Sequence, residues 1–353
     1  MIEPHSEAGS EAGWLSRRIA ESGHPWGYDA FLEAALYDPD HGFYGSGRGR
    51  AGRRGDFLTS VEVGPLFGAV LARALDTWWA ALGRPEPFTV IEAGAGVGTL
   101  ARGVLAAQPA CRPRYIAVER SAALRALHPE GVESVANLPE EPVGMGVVLA
   151  NELLDNLPFS LCERTSDGWR EIQIDENGAD VFADIVELDL PGLLGAATGA
   201  RVPRQRAAAR WVEDARAVLD RGLVVAFDYA VADTASLAER PWTEWLRTYR
   251  GQQRGGHPAD GAGEQDVTTE VALDQLPPAG RVVSQRHFLV EHGIDDLVAE
   301  GRKVWAERAH LGDLAALKAR SRVREAEALL DPGGLGGFSV ASWLVRYPAS
   351  HRY

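Results

Sequence analysis

The run Val90-Ile91-Glu92-Ala93-Gly94-Ala95-Gly96-Val97-Gly98-Thr99-Leu100 constrains this chain most. An apolar stretch ends in an acid, three alternate glycines follow, and a helix-compatible segment begins. That order predicts strand, turn and helix, with Phe88–Glu92 as the strand and Thr99–Ala107 as the helix. A turn without side chains at Gly94, Gly96 and Gly98 lets its backbone approach a ligand closely. A dinucleotide turn reads G-x-G-x-x-G and sets a pyrophosphate on the helix N-terminus. Here the spacing is G-x-G-x-G with Glu92 at the strand tip, which argues against a nicotinamide oxidoreductase.

The same alternation continues downstream. Tyr115–Glu119, Val132–Ala136, Val147–Ala150 and Gly222–Asp228 read as further strands, and Trp211–Leu219 as the helix before the last of them. Strands alternating with helices predict an α/β fold, a mostly parallel sheet covered on both faces. Ahead of it, Trp14–Leu36 reads as two short helices and Gly64–Leu82 as a longer one. Phe159–Arg164 and Trp169–Ile174 alternate around Asp167-Gly168, a hairpin signal, and Phe182–Leu188 adds a ribbon strand. Residues 159–200 are therefore an inserted β-rich arm. The stretch 230–270, rich in Gly, Pro and Arg, reads as an irregular lid loop, His287–Leu317 as helical and Ser339–Val345 as a closing strand. The division expected is an N-terminal helical segment, 1–86, and a core, 87–353.

Ligands of open parallel sheets bind beyond the carboxyl ends of the strands. Glu119 ends the second strand about twenty residues past the glycines, where an acid accepts hydrogen bonds from ribose hydroxyls. Glu92 offers fixed negative charge, and the alternate-glycine turn is the form typical of S-adenosylmethionine, whose sulfonium and ammonium are cationic. Asn137, after the third strand, sits where an amide meets an adenine edge or simply makes a turn. The fourth strand runs into Asn151-Glu152-Leu153-Leu154-Asp155, groups that can hold an amine and accept its proton, or cap a helix. Asp228-Tyr229 ends the fifth strand, and Gly55-Asp56-Phe57 with Thr59 and Ser60 precedes the helix at Gly64.

Acids outnumber bases, 50 to 36, giving a net charge of −14. Such a chain lacks the basic footprint that nucleic acid requires. Cys111 and Cys162 match no metal spacing, so no metal is expected. No apolar run approaches the ~18 residues of a membrane span. Met1–Gly13 lacks the basic start and apolar middle of a secretory signal, so a cytoplasmic protein is expected.

Taken in order, these segments resemble the MidA-like methyltransferases, a family that includes the mitochondrial assembly methyltransferases of respiratory complex I. The resemblance rests on Gly55-Asp56-Phe57 with Thr59-Ser60, on Glu92 with the glycine turn, and on Glu119-Arg120-Ser121. It continues through Asn151-Glu152-Leu153-Leu154-Asp155, Asp228-Tyr229, Thr248-Tyr249-Arg250-Gly251 and Asp266-Val267-Thr268. It implies a Rossmann-like class I methyltransferase core with an N-terminal helical segment, the β arm and a C-terminal helical extension. It implies S-adenosyl-L-methionine as cofactor, bound by Gly55, Asp56, Phe57, Thr59, Glu92, Gly94, Ala95, Gly96, Gly98, Glu119, Asn137 and Asn151. The family's acceptor is a protein arginine, so Glu152 and Asp155, then Asp228 and Tyr229, are expected to orient a guanidinium. Val61 stands where the family has proline and Asn156 where it often has alanine. A small-molecule acceptor and a non-catalytic, cofactor-binding assembly role are the alternatives, and a homodimer stays open.

Overall fold

The computed structural model describes residues 13–47, 59–190, 192–251 and 253–346. Seven strands form the central sheet. From one edge to the other they are Arg281–Ser284, Ser339–Val345, Arg221–Asp228, Met145–Asn151, Thr89–Ala93, Arg114–Val118 and Glu133–Val135. The last five of these run parallel. Ser339–Val345 runs antiparallel against both Arg221–Asp228 and Arg281–Ser284. The chain turns from Thr89–Ala93 toward one edge and from Met145–Asn151 toward the other. The crevice between these two strands is a topological switch point, where ligands of such sheets bind.

The apolar runs become strands because both of their faces are covered. Val90, Tyr115, Val147, Leu149, Val225 and Phe227 point into one core. Ile91, Ile116, Val148, Ala150, Val224 and Ala226 point into the other. This period of two places every second residue on the opposite face. Each valine, leucine, isoleucine or phenylalanine among them contributes about 1.5–3 kcal/mol when removed from water. Pro65–Ala81, Thr99–Ala106 and the C-terminal helices cover the first face, and Arg206–Ala217 covers the second. Pro65 occupies the first helical position, where its missing N–H costs nothing. The next N–H, from Leu66, is accepted by the buried Glu325 carboxylate at 2.9 Å.

The arm forms a second sheet. Ser160–Arg164 pairs with Trp169–Ile174, as the hairpin signal predicts, and Asp180–Val186 adds a further strand. Arg201–Arg204 and the N-terminal Trp26–Gly27 complete it. Phe159, Leu161, Ile172 and Ile174 pack on the helices Trp14–Ser22 and Tyr28–Tyr37.

Two stretches differ from the sequence reading. The segment read as irregular holds helices Ala235–Ala238 and Trp242–Trp245, and Leu246–Arg250 pairs with Asp266–Thr269. Its anchor is Trp245, which is fully buried. Its Gly and Pro residues mark the turns between elements too short to show periodicity. The helix expected over His287–Leu317 is three helices, Gln285–Glu291, Ile294–Arg308 and Leu314–Leu330, interrupted at Gly293 and Gly312 in left-handed conformations. Asp313 caps the last of them by accepting from Ala316 N–H at 2.8 Å. Among the described residues no helix is long and apolar enough to cross a membrane.

Candidate active site

A cavity of about 590 Å³ opens at the switch point, within the range of small-ligand and cofactor pockets. Its floor is the glycine turn. Gly94, Gly96 and Gly98 adopt φ of +68°, +53° and +79°, the left-handed region that glycine tolerates. Their surroundings separate their roles. A Cβ on Gly96 would meet nothing within 4 Å, so this residue faces open space. A Cβ on Gly98 would lie 2.9 Å from Pro129, so its glycine serves packing, and it is not part of the cavity wall. From behind, His128 Nε2 sits 3.0 Å from Gly96 O, and Arg102 donates to Val97 O at 2.7 Å.

Glu119 follows its strand and reaches the turn. One oxygen accepts Gly96 N–H at 2.9 Å and the other accepts Ser121 N–H at 2.8 Å. A carboxylate has about four acceptor positions, so two remain for a ligand. Burial raises its carboxyl above the usual range, against the pull of these two N–H donors. Glu92 is 5% exposed beneath the turn and accepts the Tyr115 hydroxyl at 2.7 Å. Burial pushes its carboxyl up to about 7, although Tyr115 favours the charged form.

The opposite wall is Asn151-Glu152. Glu152 has φ +51°, unusual for a side chain of this size, and its N–H is held by Phe227 O at 2.8 Å. Its Oε1 accepts from Ser60 N–H at 3.0 Å and from the Asn151 amide at 3.2 Å. Oε2 receives no donor among the described residues. Burial, together with the nearby Asp155 charge, lifts Glu152 to about 8.

Asp155 and Asp228 lie under this wall and do not line the cavity. Asp228 accepts Leu154 N–H at 2.8 Å, Asp155 N–H at 3.3 Å and Tyr229 N–H at 2.9 Å. Asp155 accepts the Thr268 hydroxyl at 2.6 Å. Burial raises both carboxyls, Asp155 to about 6. Tyr229 turns away: its ring lies 3.9 Å from that of Phe338, in a shallow pocket with Arg247 and Glu270. Asn137, Ala95, Thr59 and Asn151 line the cavity. Gly55, Asp56 and Phe57 lie outside the described residues.

Several lining residues carried no functional signal in the sequence. Tyr37 and Tyr44 stack with ring centroids 6.0 Å apart and close the cavity on the N-terminal side. Tyr44 donates to Asp266 at 2.8 Å, and the Asn156 amide donates to the same oxygen at 3.0 Å. Nothing local marks Asp266 as their partner.

The cavity wall fits a cationic nucleoside. Among the described residues Glu62, Glu92, Glu119, Glu140, Glu152 and Asp214 face it against one base, Arg120, which is itself paired with Glu33. A pyrophosphate would find no free cation there among the described residues. Among the described residues Thr59 Oγ1 and Asn151 Oδ1 are buried without partners, which fits polar groups of a cofactor in this cavity.

Residues 70–291 match a protein family described as S-adenosyl-L-methionine-dependent methyltransferase. The chain belongs to this MidA-like methyltransferase family. Its cofactor is S-adenosyl-L-methionine. A Burkholderia thailandensis protein crystallised with S-adenosyl-homocysteine is similar over 98% of this chain and 95% of its own, with 28% identity and a TM-score of 0.78. The mitochondrial protein arginine methyltransferase NDUFAF7 of Mus musculus is 26% identical over 75% of this chain and 70% of its own length. The Drosophila melanogaster homologue is 29% identical over 49% of this chain and 46% of its own. The chain thus spans about half the length of the first curated relatives it matches. The methyltransferase fold and the cofactor implied by the family resemblance agree with these likenesses, and the final strand's reversal completes the class I sheet order.

Proposed function

We propose that this methyltransferase modifies a guanidine nitrogen of a protein arginine. The observation that carries the reading is the wall at Asn151-Glu152, which presents acceptor oxygens once Glu152 is ionised. Glu152 Oε2 and Asn151 Oδ1 both lack donors among the described residues. A guanidinium has five donors and no acceptor, and pairs with carboxylates through parallel bonds. The names of the NDUFAF7 relatives point to arginine as well, and the family resemblance makes an arginine of a respiratory complex I subunit the first acceptor to test.

When bound, S-adenosyl-L-methionine supplies an electrophilic methyl on a cationic sulfur. Glu119, Gly96 and Glu92 hold the nucleoside and amino acid ends, so that donor and acceptor are aligned by binding. Ser60 N–H and the Asn151 amide fix Glu152 by its Oε1, leaving Oε2 for the acceptor. A guanidinium beside Glu152 favours the ionised carboxylate and offsets the penalty of burial. Glu152 then takes up the proton that the nitrogen sheds, a task suited to a carboxyl lifted toward neutrality. Asp155 and Asp228 act from beneath, by holding the turn that presents Glu152.

The test is a labelled methyl-donor assay with an arginine-containing complex I subunit peptide and its lysine counterpart. Methylarginine in the first peptide alone supports the reading. Label that appears only in low-molecular-weight metabolites of a cell extract overturns it in favour of a small-molecule acceptor.

A further inference from the structure

We propose that Gln285 is a positioning residue for Glu152, acting through Ser60. This inference rests on Glu152 facing the acceptor, as proposed above, but names a residue outside the cavity.

Three segments far apart in sequence meet in one line of hydrogen bonds. Gln285 opens the helix Gln285–Glu291 and is completely buried. Its Oε1 accepts the Ser60 hydroxyl at 2.9 Å. Ser60 is also fully buried and opens the short helix Ser60–Val63. Its N–H donates to Glu152 Oε1 at 3.0 Å. Gln285 is itself anchored, because its own N–H donates to Phe338 O at 2.7 Å. The C-terminal part of the chain thereby sets where Ser60 N–H points.

A packing role does not account for this glutamine. Its Nε2 is buried without a partner among the described residues. An unpaired buried amide donor destabilises the folded state, and an apolar side chain of similar length would avoid that cost. What an apolar residue could not do is accept the Ser60 hydroxyl. Without that acceptor Ser60 is free to shift, and Glu152 loses a donor that favours its charged form. The effect on chemistry is then weaker ionisation of Glu152 and a looser acceptor site, with cofactor binding intact.

The experiment reads Glu152 directly and does not need the acceptor. The full chain is labelled with carboxyl-13C glutamate and titrated by NMR, with the Glu152 resonance identified by its loss in Glu152→Gln. Gln285→Met and Ser60→Ala are each expected to raise the Glu152 midpoint by about half a unit, roughly a threefold change in ionisation. The double variant is expected to move it no further than the larger single change, because both act through one bond. Thermal midpoint is measured alongside. An unchanged Glu152 midpoint in both variants, with or without a loss of stability, overturns the proposal. Ser60→Ala provides the same test from the other side of the bond should Gln285→Met not fold. If the midpoints move but the wild-type protein leaves arginine peptides unmethylated, the acceptor reading fails and the positioning role stands.

Discussion

The Glu119 carboxylate accepts the Gly96 N–H at 2.9 Å, joining the tip of one strand to the turn that follows its neighbour. The acid therefore shapes the turn as well as lining the cavity. Glu119→Gln replaces one carboxylate oxygen by a donor, which must then confront either Gly96 N–H or Ser121 N–H. Hydrogen bonds to charged groups are worth about 1.5–3 kcal/mol, so affinity for S-adenosyl-L-methionine is expected to fall roughly 10- to 150-fold. Isothermal titration with wild-type and variant protein measures this. Equal affinities would remove Glu119 from the cofactor site.

Glu152 carries a stability cost that depends on pH. Its carboxyl is lifted to about 8 from an ordinary 4.5, so the folded state binds more protons than the unfolded state between these values. Stability is therefore full below about 4.5 and is lost as pH rises through 8. Glu152→Gln removes the cost while keeping an oxygen for Ser60 N–H. Its thermal midpoint is expected to exceed that of wild type at pH 8 and to match it at pH 4, with methyl transfer reduced at least tenfold. Calorimetric scans across this range check the sign, and a variant less stable at pH 8 contradicts it. Such a trade of stability for function is common where an active site holds an unfavourable charge.

The parts of the molecule that were legible in sequence are those whose causes are local. A strand buried on both faces must be apolar throughout, so Val147–Ala150 and Gly222–Asp228 show themselves. The ligand-facing ends follow from the sheet topology, which places Glu92, Glu119 and Asn151 at one crevice. The partners that tune these groups were not legible. Tyr44 and Asp266 meet across 222 positions, and Ser60 and Gln285 across 225. No periodicity links residues so distant. Asp228 was expected at the acceptor and instead ties down three backbone N–H groups, a role visible only once the turn at Leu154–Asn156 is seen.

That turn makes Asp228 a structural lever. Asp228→Ala leaves the N–H groups of Leu154, Asp155 and Tyr229 without their acceptor. An unsatisfied buried group costs about 1–3 kcal/mol, so the urea midpoint is expected to fall markedly. Methyl transfer is expected to fall with it at temperatures where the protein is still folded, because the turn presents Glu152. Urea titration and activity on one preparation separate the two effects. Unchanged stability would show that water replaces the carboxylate.

Asn156 offers a cleaner separation of acceptor from cofactor. Its amide donates to Asp266 at 3.0 Å and to Val267 O at 3.1 Å, and Tyr37 donates to its backbone oxygen at 3.0 Å. Tyr37 and Tyr44, on this side of the cavity, are therefore held in part by Asn156 and Asp266. Asn156→Ala removes the amide, and with it the 3.4 Å bond that the Tyr44 hydroxyl donates to Asn156 Oδ1, but leaves the Tyr44 bond to Asp266 in place. The two bonds that its amide N–H groups make cost about 1–3 kcal/mol together when lost, and the longer Tyr44 bond goes with them. The variant is expected to bind S-adenosyl-L-methionine within about twofold of wild type, since Glu119 and the glycine turn are untouched. Its kcat/KM for the acceptor is expected to change at least fivefold, since the aromatic wall regains freedom to shift. Titration calorimetry and initial rates measured on the same variant decide the matter. A large loss of cofactor affinity with an unaltered acceptor KM would place Asn156 on the cofactor side instead.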